Sequence, residues 1–173
     1  MSNSNFSRTH GRRVNSFVFA VAFVAMLILA QSTEAATWKG IEPFNSRRVD
    51  VERVLGAPVE DRMAENGTLH FNVSGGMVTI FFVTPKFVAA KKLSQNLEGT
   101  VLQVILQHEH AADTPESLKL VKNSDYERQS RQEVDVYTNA KEGIIYTFLG
   151  GKLKTTRFSY SANQLARIQQ GKG

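Results

Sequence analysis

The chain has 173 residues, no cysteine, and a formal charge of +5 from 21 basic and 16 acidic side chains. The lack of cysteine excludes disulfides, thiol catalysis, thiolate metal sites and a lipid carried on a cysteine. The length fits one domain with a sizeable core.

Arg8, Arg12 and Arg13 precede an uncharged apolar run of 14 residues, Phe17–Ala30, and Thr33 and Ala35 stand at −3 and −1 of a cleavage point. This is the layout of a secretory signal. The run is shorter than the roughly 20 residues of a spanning helix. We therefore expect a signal over 1–35, cleavage after Ala35, and a secreted or periplasmic domain over 36–173 with no stable membrane anchor. Losing three Arg and one Glu leaves +3 on that domain, a mild preference for acidic partners.

After Trp38, an expected core or edge aromatic, Gly40–Pro58 reads as a short helix marked at both ends. Ser46 suits the N-cap, Val51, Val54 and Leu55 form an apolar stripe, Gly56 closes the helix and Pro58 prevents its resumption. About ten residues are too few to hold a helix alone in water, so it must dock on a sheet. Residues 60–65 read as a charged loop. Asn66-Gly67 turns into a strand at Thr68–Val73, and Ser74-Gly75-Gly76 turns into another at Met77–Val83. Both sides of this second strand are largely apolar, which places it centrally. Lys86–Leu97 reads as either a short helix or a loop. Thr100–His108 is a strand, with Leu102, Val104 and Leu106 on one face. Asp113-Thr114-Pro115-Glu116 is a helix-start pattern, with Leu118 and Val121 facing inward. A polar stretch, 124–132, precedes strands at Glu133–Asn139, Gly143–Leu149 and Lys152–Tyr160, and Ala162–Gln170 adds a helical turn or two.

The expected fold class is α+β: an antiparallel sheet of about five to six strands with two short helices on one face. The pattern also admits a tandem α-β-β duplication over 40–109 and 113–161, with Phe71 matching Tyr137 and Gly76 matching Gly143.

The run G-I-x-P-x-x-S-x-R-x-D-V-E-x-x-L-G-x-P at Gly40–Pro58, followed by an apolar hairpin at Thr68–Val83, resembles the SmpA/OmlA (BamE-like) group of small outer-membrane-assembly factors, related in fold to β-lactamase-inhibitor-like domains. It also resembles secreted bacterial proteins carrying the same helix and Leu-Gly-x-Pro signature. The resemblance implies a small α+β layer that binds proteins and performs no chemistry. Members of that group are usually anchored through a lipidated cysteine, which this chain lacks.

No catalytic constellation stands out. Asp50 with Glu52, and Glu60 with Asp61, read as solvated acids. Lys86, Lys91, Lys92, Lys152, Lys154 and Arg157 are too sparse for a nucleic-acid face. No cofactor or metal is expected. The sequence favours a non-enzymatic envelope protein with a protein partner, binding through the sheet face opposite the helices; Phe81, Tyr137, Tyr146 and Tyr160 are its candidate contributors. The rival is a metal-dependent hydrolase using His70, His108 and His110. A structural envelope protein with no defined ligand is a third reading.

Overall fold

The computed structural model describes residues 35–171; the expected signal, apart from Ala35, lies outside them. The first helix, α1 (Arg48–Leu55), sits near its expected place. Its start is set differently. Ser46 Oγ accepts from the backbone of Glu42 at 2.9 Å and so closes the preceding turn. The Asp50 carboxylate caps the helix instead, accepting from Arg47 N at 2.9 Å. Val51 is fully buried and Leu55 packs beside it, whereas Val54 is 46% exposed. The apolar stripe is therefore narrower than expected. Residues 44–47 run beside the following sheet, with Phe44 N donating to Val101 O and Val101 N to Ser46 O, each at 2.7 Å.

Strands are the main regular elements of the rest of the described chain: β1 (Glu60–Arg62), β2 (Thr68–Val73), β3 (Gly76–Phe82), β4 (Val101–His108), β5 (Glu127–Arg131), β6 (Val134–Asn139), β7 (Ile144–Leu149) and β8 (Lys152–Ser159). They form one antiparallel sheet in the order β1-β2-β3-β4-β8-β7-β6-β5. It consists of two four-strand meanders joined where β4 pairs with β8. Eight strands, not five to six, are present. The additional two, β1 and β5, are the edges, and every residue in them is exposed. Their exposed side chains bury no apolar surface, so the charged sequences EDR and ERQSR carry no apolar alternation to announce them; charge on an edge also discourages pairing with other chains.

Three further helices are described: α2 (Met63–Asn66), α3 (Pro85–Lys91) and α4 (Ala162–Gln170). Thr84 caps α3 by accepting from Phe87 N at 3.2 Å, and Ser161 caps α4 by accepting from Gln164 N at 3.1 Å. The helix expected from Thr114 does not form. One turn begins, with Leu118 N on Thr114 O at 3.1 Å, and then Lys119 takes a positive φ of 56°. The reason is packing. Leu118 and Leu120 both join Tyr137, Phe148 and Leu153 in one apolar cluster, and residues two apart cannot share a helix face. Leu120 is 4% exposed while Val121, expected inward, is 50% exposed. With no helix between β4 and β5, the α-β-β duplication is not formed, and two helices on one face are not what covers the sheet.

What covers it is α1 over β2, β3 and β4, through Val51, Leu69, Phe71, Val78, Ile80 and Val104. The irregular segment 109–126 lies over β6, β7 and β8 on the same side. A separate cluster joins α3 and α4 to Phe44, Val83 and Leu93.

The turn between β6 and β7 is a tight point. The buried Asn139 accepts from the backbone of Lys141 and Glu142, each at 3.1 Å, and Gly143 at φ 73° presses against β8. A Cβ there would stand 2.2 Å from Ser159 O, whereas one at Gly150 meets nothing. Gly143→Ala is expected to lower unfolding free energy by about 3 kcal/mol. Gly150→Ala, strained only in its own backbone, should cost about 1 kcal/mol. Urea unfolding followed by far-UV circular dichroism checks both.

Candidate functional site

Strand register sorts the side chains between two faces. The covered face carries Leu69, Phe71, Val78, Ile80, Val104, Phe158, Ile144 and Phe148. The opposite face has no described element packed over its middle. One cross-strand row runs through all eight strands there: Glu60, His70, Thr79, Ile105, Arg157, Ile145, Thr138 and Glu127. A parallel row carries Met77, Gln107, Thr155, Thr147 and Val136. Ile105, Ile145, Val136, Met77 and Phe81 are half-buried, and Arg157 is exposed. This face carries isoleucine and threonine around Arg157 in its middle and is charged at its rims. At the β1 rim, Glu60 meets Arg62 in an ion pair, and His70 Nδ1 lies 3.1 Å from Thr79 Oγ1.

Of the four candidate contributors, only Phe81 lies on this face. Tyr137 is 2% exposed in the core of the covered side, edge-on to Phe148 at 5.7 Å. Tyr146 is on the covered side too, 5.9 Å from Tyr126. Tyr160 lies past the end of β8, stacked on Phe44 at 5.0 Å. The expectation of one shared outward face is thus corrected. All three are packing residues: strand alternation turns Tyr137 on β6 and Tyr146 on β7 toward segment 109–126, and Tyr160 joins the cluster of Phe44, α3 and α4. Burial raises the phenols of Tyr137 and Tyr146, and pushes Tyr126 up to about 12, so all three stay neutral.

The three candidate histidines do not converge. His70 is on the open face. His108 is on the covered one, with Nε2 2.9 Å from Thr156 Oγ1, and His110 is exposed beyond the end of β4. Among the described residues no group of three or more His, Asp or Glu side chains is placed to hold a metal. The acids that the sequence singles out are paired. Asp50 meets Arg53 at 2.9 Å, Glu52 meets Arg48 at 2.7 Å, and the same Arg48 reaches Asp61 on β1 at 2.8 Å. The Arg47 backbone N–H, with Arg53, holds the Asp50 carboxyl below its usual range; the Met63 N–H does the same for Asp61. A carboxylate held ionised in this way is poorly suited to donate a proton. A depression of about 400 Å³ beside α1 includes Asn45, Ser46, Asp50 and Arg53, whose polar groups already bond within the fold.

The row through Ile105, Arg157 and Ile145 escaped the sequence reading. Alternation assigned Leu102, Val104 and Leu106 to one face of β4, which left Ile105 on the other. The neighbours of Ile105 depend on the β4–β8 register, which no local pattern specifies.

No protein-family model matches the chain, and no curated protein matches it by sequence. Among solved structures it is similar to a DUF4309 family protein, YjgB, from Bacillus subtilis subsp. subtilis str. 168. The two share 12% identity over 71% of this chain and 84% of that one, with a TM-score of 0.47. A likeness of that degree carries no argument about function.

Tyr137→Ala should cost about 3 kcal/mol or more in a urea titration, as large buried aromatics do, while Phe81→Ala leaves the fold in place. Burial lowers the His108 imidazole below 6.5, with Asp113 opposing. The folded chain then holds this ring neutral while the unfolded chain takes up a proton. Its stabilising contribution is complete above about 6.5 and is lost as pH falls from there through the folded value. The urea midpoint should therefore drop as pH falls below about 6.5, and His108→Gln should flatten that drop. The lowered carboxylates act in a separate window, below about 3.8.

Proposed function

We propose that this chain is an exported, non-enzymatic protein of the bacterial cell envelope that acts by binding a protein partner on the open face of its sheet. The observation that carries the reading is the uninterrupted row from Glu60 to Glu127. Isoleucine and threonine around a single arginine, inside a charged rim, suit a docking surface. Export rests on the sequence of residues 1–35, and the SmpA/OmlA resemblance of Gly40–Pro58 points the same way. Among the described residues no helix is long and apolar enough to cross a membrane. The hydrolase reading has less support, because it needs His70, His108 and His110 together and they lie on different faces.

A photo-crosslinking amino acid at Ile105, compared with one at Val121 in the exposed part of segment 109–126, tests the proposal in cells. Discrete protein adducts from position 105 and none from position 121 are expected. Identical patterns from both, or adducts from neither, would sink it. Stoichiometric zinc in the purified protein would instead revive the hydrolase.

A further inference from the structure

Arg157 is the unusual member of the open face. It lies directly between Ile105 on β4 and Ile145 on β7, in the middle of the sheet. Gln103, Gln107, Thr155 and Thr147 surround it, all uncharged. Its side chain is exposed and, among the described residues, makes no ion pair or hydrogen bond. The acids of its own row are at the two rims, three strands away at Glu127 and four away at Glu60. At the usual strand spacing these are roughly 14 and 19 Å, beyond a Debye length of about 8 Å at physiological salt. Glu60 is further engaged by Arg62, and Glu127 accepts from Gln129. The remaining charges that register places on this face, Arg62, Arg131 and Lys152, are all cationic.

A guanidinium left hydrated costs nothing in the free protein. Covered by a partner without a counter-charge, it would be buried unpaired, which strongly opposes binding. A partner offering a carboxylate at that point converts the penalty into a bidentate, charge-assisted pair. Ile105 and Ile145 would then seal that pair from water, the setting in which an interfacial arginine dominates binding. Phosphate suits the position less well. It is normally held by several cations or by free backbone N–H groups. Here one cation stands among isoleucines, and the surrounding strand N–H groups are committed to the sheet.

We propose that Arg157 is the anchor of the docking face and takes a single Asp or Glu side chain presented by an apolar segment of a protein partner. This rests on the binding role proposed above and adds the chemistry of the partner. The test is selection of phage-displayed random peptides on the full chain, followed by affinities for Arg157→Gln, Arg157→Lys and Ile105→Asp, each checked for folding by circular dichroism. We expect enrichment of peptides with one acid among apolar residues. Their binding should fall roughly tenfold or more in Arg157→Gln, and less in Arg157→Lys. Removing the peptide's acid should cost little further in Arg157→Gln, the coupling a double-mutant cycle detects. Acid-free peptides that respond to Ile105→Asp but not to Arg157→Gln would overturn the anchor while leaving the face as the binding surface. Peptides indifferent to both changes, or no enrichment at all, would overturn both proposals. Arg157-dependent binding to phosphatidylglycerol vesicles without a peptide response would replace the partner carboxylate with a lipid phosphate and overturn this proposal.

Discussion

Five pairs between β4 and β8, from Gln103 opposite Ser159 to Gln107 opposite Thr155, hold the two meanders in one sheet. Every other arrangement depends on this seam. Side chains alternate along a strand, so a slip of one residue would send Ile105 and Gln107 into the core and Val104 and Leu106 out of it. Val104 is fully buried beneath the α1 layer, which makes such a slip costly. The same seam sets Ile105 opposite Arg157 and thereby creates the middle of the open face.

The two sides of the sheet are stabilised differently. The covered side is closed by a helix over one meander and by an irregular segment over the other. The helix contributes Val51 and Leu55, and its charged flank reaches β1 through Arg48 and Asp61. That ion pair is solvent-exposed and contributes little; burial of Val51, Phe71 and Ile80 carries the larger share. The open side has Thr and Ile in the middle, residues that favour a strand without demanding full burial.

Features with local causes were legible in the sequence. Gly56 and Pro58 end α1, Asn66-Gly67 and the paired glycines mark turns, and the strong strands β2, β3, β4, β6, β7 and β8 all follow apolar patterns. Features with distant causes were not. The edges β1 and β5 exist because a neighbour offers backbone groups to pair with. Segment 109–126 starts as a helix and abandons it because Leu118 and Leu120 must both reach Tyr137 and Phe148. Ser46 has the chemistry of a helix cap and is diverted to Glu42. For the candidate site, Phe81 was legible from its odd position in MVTIFFV. Tyr137, Tyr146 and Tyr160 were misplaced because aromatic character does not reveal which way a strand turns.

The distribution of chromophores gives the fold two separate optical voices. Trp38, the sole indole, packs against the cluster that α1 covers, with Lys39 Nζ 5.5 Å from its ring. All four phenols come later in the chain, and Tyr126, Tyr137 and Tyr146 belong to the cluster beneath segment 109–126. Indole emission therefore follows one meander and phenol absorbance chiefly the other. Whether the seam makes the halves melt as a single body or in succession can thus be seen without attaching any label.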